Sequence, residues 1–367
     1  MSHRILFLVA VLILAGATST NAIVLRHDRA LVDTEAAGSR FPATVRFLPD
    51  GSGALVASDW VLTAAHVARG LSPFGQEVEV SGHRGVIAQV VFHPLSNRLP
   101  GQAPEVDAAL VQLRGPLDHV TPASLYVQGD EVGQRVHVAG YGDFGLAGDA
   151  EMGPANGVCR VVSNRVDHLR GNYLAITFDD GDGATELEGT GAPGDSGGPL
   201  FIERDGVRFV AGISSFSTGP PRAYGSVDHY TRVSNIADWI RLTLADTTGL
   251  AQPVVTDLTR QSFSDAAQSA VAQAFVHAFN AGDEDFLQFA ADHPQVESLR
   301  RLVKRRAMYG ELTALRWAVL DPQRSSLLVS LGAMGGHRVI NFWFDERGAL
   351  RDIALGMSAA PNPITED

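Results

Sequence analysis

The stretch Gly194-Asp195-Ser196-Gly197-Gly198-Pro199-Leu200 sets one serine among glycines near the middle of the chain. A serine hydroxyl is a weak nucleophile at neutral pH, so it needs a base to take its proton and donors to hold the oxyanion that forms. Glycines let the backbone turn sharply, and the amides of Gly194 and Ser196 can then converge on one small space. The alternative is an ordinary loop rich in Gly, Ser and Pro.

Two upstream segments contain the other groups that such a serine needs. Residues 61–66 form an apolar strand that ends in His66, and residues 106–113 start an apolar strand with Asp107. Alone, the histidine would more often be structural and the aspartate a strand-end cap. Together, the motifs TAAH, DAAL and GDSGGP follow the order found in the chymotrypsin/trypsin-like serine peptidases, and the chain resembles that family over residues 23–246.

The resemblance implies an all-β fold of two six-stranded β-barrels, with the active site in the cleft between them. In such a site Ser196 attacks the scissile carbonyl, His66 acts as the general base, and Asp107 orients the imidazole. The backbone amides of Gly194 and Ser196 would hold the oxyanion. Val67 stands where animal secreted relatives carry a cysteine, and this departure points to a bacterial type of member.

The resemblance also implies where substrate binds. Thr190 falls on the floor of the specificity pocket, where trypsin-type enzymes have an aspartate. Asp228 falls on a pocket-wall position usually held by glycine, where a carboxylate could pair with an Arg or Lys side chain of the substrate. A turn aspartate that faces solvent is the alternative. The predicted substrate-binding residues are Thr190, Ser215, Phe216, Ser217 and Asp228.

The amino terminus of the mature chain is a further expectation from the resemblance. In the family a new terminus inserts beside the aspartate that precedes the serine, and this pairing shapes the oxyanion hole. Cleavage after residue 22 would expose Ile23, and the partner is present as Asp195. We therefore predict that Ile23 pairs with Asp195 without a separate zymogen step. The stretch Leu25-Arg26 replaces the family's two glycines, so an ordinary barrel edge is the alternative.

The organisation of the chain starts with a secretory signal pattern. Arg4 supplies the positive start, and residues 5–15 are an apolar run too short to cross a bilayer as a helix. The predicted location is therefore secreted or periplasmic, and an uncleaved membrane anchor is the alternative. The predicted boundaries are a signal peptide over 1–22, a peptidase domain over 23–246, a linker over 247–260, an accessory domain over 261–357 and a tail over 358–367.

The accessory domain is predicted from a change in hydrophobic period after the linker. Helical spacing gives way to strands predicted over 312–320, 327–331, 339–344 and 350–355, which together make a small α+β unit. It contains no triad residue, so we expect it to fold separately. Residues 278–283 resemble NTF2-like domains, which bind ligands or form dimers, and the sequence leaves the ligand or partner open.

The net charge, the cysteine count and the histidine spacing limit the partners and cofactors that are expected. The formal net charge is −12, which disfavours nucleic acid as a partner. Protein or peptide substrates are the partners that the resemblance implies. The single cysteine, Cys159, cannot form an intramolecular disulfide and is predicted to be a small buried side chain. The histidines show no spacing typical of a zinc site, so we predict neither a catalytic metal nor a cofactor.

Two charged clusters have more than one interpretation. The acidic loop over 179–188 is predicted to be a solvated turn, with a calcium site as the alternative. The basic cluster over 300–306 is predicted to be a solvated helical face, with an anion site or an inter-domain contact as the alternative.

The sequence as a whole predicts a secreted serine endopeptidase that works through an acyl-enzyme intermediate. Two alternatives stay open: a catalytically silent binding module on the same fold, and a serine esterase.

Overall fold

The described chain begins with two short elements that pack against the second half of the peptidase region. Strand β1 (Val24–Leu25) is buried, and helix α1 (Leu31–Gly38) follows it. The structure is a computed structural model that describes residues 23–48, 51–72, 75–96, 104–149, 151–192, 194–245, 254–258, 267–303, 306–321, 323–332 and 337–357. The predicted signal peptide and the predicted tail lie outside these residues.

The first half of the peptidase region is a closed six-stranded barrel. Alternate residues of each strand point inward, and β-branched side chains such as Val45, Val61 and Val111 are fully buried there. The short helix α2 (Ala65–Ala68) leaves the barrel directly after its third strand. In pairing order the strands are β2 (Thr44–Phe47), β3 (Ser52–Ala57), β4 (Trp60–Thr63), β7 (Ala109–Leu113), β6 (His83–Phe92) and β5 (Glu77–Val80).

The second half is a strongly curved eight-stranded sheet, where the resemblance implies six strands. Its path runs through β11 (Arg160–Arg165), β9 (Arg135–Gly140), β15 (Pro199–Arg204), β16 (Val207–Thr218), β17 (Val227–Arg232), β13 (Tyr173–Thr177) and β12 (His168–Arg170), and β8 (Ser124–Leu125) pairs with β16. The buried Asn164 of β11 donates hydrogen bonds to the carbonyl oxygens of Thr177 and Gly189, both at 2.9 Å, and so ties β11 to the end of β13.

Two further pieces complete the peptidase region. Strand β1 lies between β10 (Gly145–Leu146) and β14 (Gly189–Thr190) in a small three-stranded sheet. Helix α3 (Val233–Ala245) closes the region and buries one face through Val233, Ile236 and Ile240, which agrees with the helical spacing of the sequence.

The carboxyl-terminal region is an α+β unit, as the change of period predicts. A core of aromatic side chains, including Phe275, Phe286 and Trp317, lies between its helices and one face of its sheet. The helices are α4 (Ala267–Ala281), α5 (Asp283–Asp292), α6 (Glu297–Val303) and α7 (Arg306–Tyr309). The strands pair in chain order: β18 (Val254–Asp257), β19 (Leu312–Asp321), β20 (Arg324–Leu331), β21 (His337–Phe344) and β22 (Leu350–Met357).

Part of the predicted linker is corrected by the structure. Val254–Asp257 form an edge strand, antiparallel to β19, within the segment 247–260. The stretch Val-Val-Thr is β-branched, which favours a strand, and an edge position lets Pro253 precede it without breaking a ladder.

The basic cluster also differs from its prediction. The first helix of the cluster begins at Glu297, after a turn in which the Val296 amide bonds to the His293 carbonyl, and it ends at Val303. Arg306 reaches Asp283 and the carbonyl oxygen of Phe279, while Arg300 is exposed. Lys304 and Arg305 lie outside the described residues.

The carboxyl-terminal sheet is not simply appended to the peptidase region. Its face opposite the helices packs against the first barrel, where Trp343 of β21 meets Phe92 of β6 edge-on with ring centroids 6.3 Å apart. No helix in the described part of the chain combines the length and the apolar composition that a membrane crossing requires.

Candidate active site

His66 and Asp107 are joined by two hydrogen bonds. The His66 amide donates to Asp107 Oδ1 at 3.0 Å, and His66 Nδ1 lies 2.7 Å from Asp107 Oδ2. His66 sits in α2, just past the end of β4, and Asp107 directly precedes β7, the strand that pairs with β4. Because Nδ1 is held by the carboxylate, Nε2 is the ring nitrogen left for proton transfer.

Asp107 is almost completely buried and is held by several further donors. Ser215 Oγ donates to its Oδ2 at 2.6 Å, and Thr231 Oγ1 donates to its carbonyl oxygen at 2.9 Å. Burial raises the pKa of Asp107, but the hydrogen bonds from His66 and Ser215 outweigh it, and the pKa lies below its ordinary value. The carboxylate is therefore charged at neutral pH and can stabilise a protonated imidazole.

The serine loop is fastened to both halves of the peptidase region. The Ser52 amide donates to the Ser196 carbonyl oxygen at 2.9 Å, and the Gly197 amide donates to the Ser214 carbonyl oxygen at 3.0 Å. Gly197 has a φ of 78°, and a Cβ at this position would lie 2.2 Å from Thr63 Oγ1. Only glycine lets the loop approach so close to the strand that leads to His66.

His66 and Ser196 lie on adjacent segments, because Gly197 packs against Thr63, but no direct hydrogen bond joins the two described residues. Among the described residues, the hydrogen bonds of His66 to a side chain all go to Asp107. Hydrogen bonds between a nucleophile and its base are commonly long before substrate binds and tighten in the reacting complex. The role of Ser196 as nucleophile therefore stays a prediction that the surrounding geometry supports.

The predicted oxyanion hole lies in the turn before the serine. Gly194 has a φ of 96°, and Ser52 Oγ donates to its carbonyl oxygen at 3.0 Å, which fixes the orientation of the turn. The amides of Gly194 and Ser196 have no backbone acceptor within the described ranges, in contrast to the Asp195 amide, which donates to the Ala192 carbonyl oxygen at 2.9 Å. Two unpaired donors are what a developing oxyanion requires.

The predicted pair of Ile23 and Asp195 falls in one buried region. Both residues are 0% exposed. Asp195 Oδ1 accepts from the Gly142 amide at 3.1 Å, and the Ile23 carbonyl oxygen accepts from the Gly145 amide at 3.2 Å. Both residues are thus held by the same short segment, 142–145. The pairing of the Ile23 amine with Asp195 stays a prediction.

Asp228 is a buried carboxylate and not a solvent-facing turn residue. It is 4% exposed and accepts hydrogen bonds from Thr190 Oγ1, the Gly191 amide at 2.7 Å and Ser217 Oγ at 2.6 Å. Burial raises its pKa above the ordinary value, and these hydrogen bonds offset part of the shift. Three of the predicted substrate-binding residues, Thr190, Ser217 and Asp228, therefore form one connected group.

The other predicted substrate-binding residues lie on the neighbouring part of β16. Ser215 binds Asp107, as described above, and the half-buried ring of Phe216 packs between two other rings. Its centroid lies 5.2 Å from that of Tyr173 and 4.4 Å from that of His229. The segment 215–217 thus links the Asp107 carboxylate to the buried Asp228 group.

Sequence reasoning missed two contributors to the site, Ser52 and Thr231. Ser52 holds the serine loop through its amide and its hydroxyl, and Thr231 holds the backbone of Asp107. Ser52 stands between two glycines in the sequence, a signal of close backbone approach that could have drawn attention to it. Thr231 carries no such signal, because a threonine within a strand is ordinary.

The acidic loop and Cys159 carry no catalytic arrangement among the described residues. Glu188 is buried and accepts from the Thr185 amide at 2.7 Å and the Thr185 hydroxyl at 2.6 Å, so it caps its own loop. No group of three or more His, Cys, Asp or Glu side chains in the described ranges is arranged to hold a metal ion. Burial of the Cys159 thiol raises its pKa to about 12, which makes it unreactive at neutral pH.

The chain is similar to known proteins over its peptidase region. A family model described as Trypsin matches residues 32–240. Snake venom serine proteinase 14 of Crotalus adamanteus is 26% identical over 268 residues, which cover 68% of this chain and 98% of that protein. A solved structure described as neuropsin, a serine protease expressed in the limbic system of mouse brain, is similar with 21% identity and a TM-score of 0.44, over 56% of this chain and 95% of that one.

The family model and the venom proteinase identify the chain as a serine-type peptidase, a hydrolase. The chain belongs to the trypsin family, since the family model covers more than half of it. The resemblance of the motifs to the chymotrypsin/trypsin-like peptidases is thereby confirmed, together with the fold that it implies. The bacterial type of the protein and the NTF2-like character of its carboxyl-terminal region stay predictions.

Proposed function

We propose that the protein is a secreted or periplasmic serine endopeptidase whose triad is His66, Asp107 and Ser196. The observation that carries the proposal is the hydrogen-bonded series from Ser215 through Asp107 to His66, beside the glycine-rich turn that presents Ser196. A buried, charged carboxylate behind an imidazole is the arrangement that makes a serine hydroxyl nucleophilic.

In the proposed reaction, His66 Nε2 takes the proton of Ser196 as Oγ attacks the scissile carbonyl carbon. The amides of Gly194 and Ser196 hold the oxyanion of the tetrahedral intermediate. His66 then gives its proton to the leaving amine, the carbon–nitrogen bond breaks, and an acyl-enzyme remains on Ser196. Water, activated by the same imidazole, releases the acid product and restores the hydroxyl.

The test is a fluorophosphonate probe combined with a peptide library, with Ser196→Ala as the control. We expect the mature protein to label at Ser196 and to cleave peptides, and the alanine variant to do neither. An unlabelled protein would favour the catalytically silent binding module. A protein that labels at Ser196 and hydrolyses esters but cleaves no peptide would favour the serine esterase.

We further propose that Asp228 selects substrates with Arg or Lys before the scissile bond. A desolvated carboxylate accepts a cationic side chain and disfavours an apolar one, which leaves the carboxylate unpaired. Asp228→Asn is expected to lower kcat/KM for basic substrates by roughly 10²-fold, because a buried charge pair is worth a few kcal/mol. The control is Asp238→Asn, which removes a carboxylate with a side chain 93% exposed on α3.

The same proposal predicts a pH dependence. Because burial raises the pKa of Asp228, its carboxyl is neutral at low pH and becomes charged only above the ordinary carboxyl range. The ratio of kcat/KM for basic over apolar substrates should therefore rise as pH increases through that raised pKa. The measurement is this ratio between pH 4 and pH 8, in the parent protein and in Asp228→Asn. A ratio that does not change with pH in the parent and is the same in the variant would show that Asp228 does not contact the substrate side chain.

A further inference from the structure

Within the described residues, the carboxyl-terminal sheet contacts the peptidase region beside the segments that carry His66 and Asp107. Along β20 and β21, residues such as Leu327 and Phe342 face the helices, so the alternate residues face the first barrel. Three of these barrel-facing residues are Arg324, Asn341 and Trp343, and we call them the clamp residues.

Asn341 is the most buried of the clamp residues, with 3% exposure. Its Nδ2 donates to the carbonyl oxygens of Arg69 at 2.7 Å and Leu71 at 3.3 Å. Its Oδ1 accepts from Ser326 Oγ, which fixes which end of the amide points to the barrel. Arg69 directly follows α2, so Asn341 satisfies carbonyl groups just beyond the end of the helix that contains His66.

The side chain of Arg69 is also held by residues of the carboxyl-terminal sheet. Its guanidinium carbon lies 5.1 Å from the centroid of the Trp343 ring and 5.6 Å from that of Phe92. Its Nη1 lies 3.7 Å from Asp352 Oδ2 in β22. The residue that closes α2 is therefore fastened both through its carbonyl oxygen and through its side chain.

Arg324 extends these contacts to the strand beside Asp107. Its Nη2 donates to the Val90 carbonyl oxygen at 2.7 Å, and its guanidinium carbon lies 5.1 Å from the Phe92 ring centroid. Phe92 pairs with Ala109, two residues after Asp107, in the ladder between β6 and β7. The sheet thus supports the segment after His66 and the strand next to Asp107 together.

The short helix α2 needs such support. A helix of four residues forms few internal hydrogen bonds, and the last carbonyl groups of α2, those of Val67 and Ala68, accept from the amides of Gly70 and Leu71. The position of α2 therefore depends on how the segment 69–71 is held. A shift of about 1 Å in a catalytic group can cost ~10²-fold in rate, because proton transfer depends on alignment. The donor to the Arg69 carbonyl oxygen comes from a strand 272 residues further along the chain.

We propose that the carboxyl-terminal sheet positions the His66–Asp107 pair for catalysis, and that Asn341 is the principal positioning residue. The inference rests on the proposed function for its effect on turnover. It assigns this region a role within the peptidase itself, in place of the separate accessory unit that the sequence predicts.

The experiment compares Asn341→Leu with Asn280→Leu in the full chain. Asn280 is a matched control, because it also binds the backbone of one residue through both ends of its amide, at Leu312, but inside the carboxyl-terminal region and away from the barrel. We expect Asn341→Leu to lower kcat for a peptide substrate by roughly 10- to 100-fold with little change in KM. Asn280→Leu should lower thermal stability and leave kcat within about twofold. Equal kcat losses in the two variants would overturn the proposal.

Hydrogen–deuterium exchange supplies a readout that does not depend on activity. In Asn341→Leu, amides of the segment 66–71 should exchange faster than in the parent protein, while the same segment in Asn280→Leu should not change. Unchanged exchange in Asn341→Leu overturns the positioning role, whether or not the protein cleaves peptides. Failure of the parent to label with the fluorophosphonate, with the exchange difference present, would instead overturn the proposed function.

A second variant covers the case in which Asn341→Leu does not fold. Arg324→Gln removes the guanidinium from the Phe92 ring and from the Val90 carbonyl oxygen, while keeping a polar side chain. The same outcomes apply, with faster exchange expected in the strand that ends at Phe92. An Arg324→Gln protein with the kcat and exchange of the parent would count against the proposal.

Discussion

Replacing Ser196 by alanine is expected to lower kcat/KM for a peptide substrate by roughly 10⁴- to 10⁶-fold, and His66→Ala should do nearly the same. The reason is that nucleophile and base act as a unit. When one of them is removed, the other no longer contributes to catalysis, so its removal causes little further loss of rate. The kcat/KM of the double variant should therefore lie within about tenfold of that of the less active single variant.

The measurement is steady-state hydrolysis of one peptide by the two single variants and the double variant. Thermal unfolding is the control, since Ser196 is half-buried and its side chain is not needed for the fold. The remaining activity should come from the oxyanion donors and substrate binding. Losses that multiply in the double variant would show that the two residues act independently, and the triad proposal would then fail.

One extra residue ahead of Ile23 in the mature chain is expected to lower activity by roughly 10²- to 10³-fold. On the predicted pairing, a longer chain would move the Ile23 ammonium out of its fully buried position and away from Asp195. Leaving a buried charge unpaired costs ~3–5 kcal/mol, and ~1.4 kcal/mol corresponds to tenfold in rate when the loss falls on the active conformation. The oxyanion turn is adjacent, since the Asp195 amide bonds to Ala192.

The terminus of each preparation must be confirmed by mass before activity is compared. Asp195→Asn provides a matched variant, because it removes the charge and keeps most of the shape. We expect it to show a similar loss with the correct terminus. Full activity in the extended chain would mean that Ile23 serves only as a barrel edge and that the proposed pairing does not exist.

Local sequence was enough to predict most of the architecture. The segments of the predicted triad are short motifs, and the strand predicted over 312–320 is observed as Leu312–Asp321. The change of period also predicted the α+β unit, because Phe275 and its neighbours recur at helical spacing.

The remaining contacts depend on partners far away in the chain. Asp228 could be placed on a pocket wall by its motif, but its burial required knowing that Thr190 and Ser217 lie against it. Asn341 stands in a strand whose sequence suggests only an alternating sheet face. Its partners, Arg69 and Leu71, could not be identified without the fold, because a single asparagine carries no distance information.

The distance along the chain between Asn341 and Arg69 has a consequence for the order of folding. Contacts between remote segments form late, because the chain must first lose the entropy of closing a large loop before these contacts stabilise it. The first barrel is built from residues up to Leu113 and can form its strand ladders early during synthesis. The carbonyl oxygens of Arg69 and Leu71, just after α2, receive the Asn341 amide as donor only after β21 has been made. On the proposed role of the sheet, the newly made chain acquires full peptidase activity only when its last strands dock, which limits cleavage by half-finished molecules.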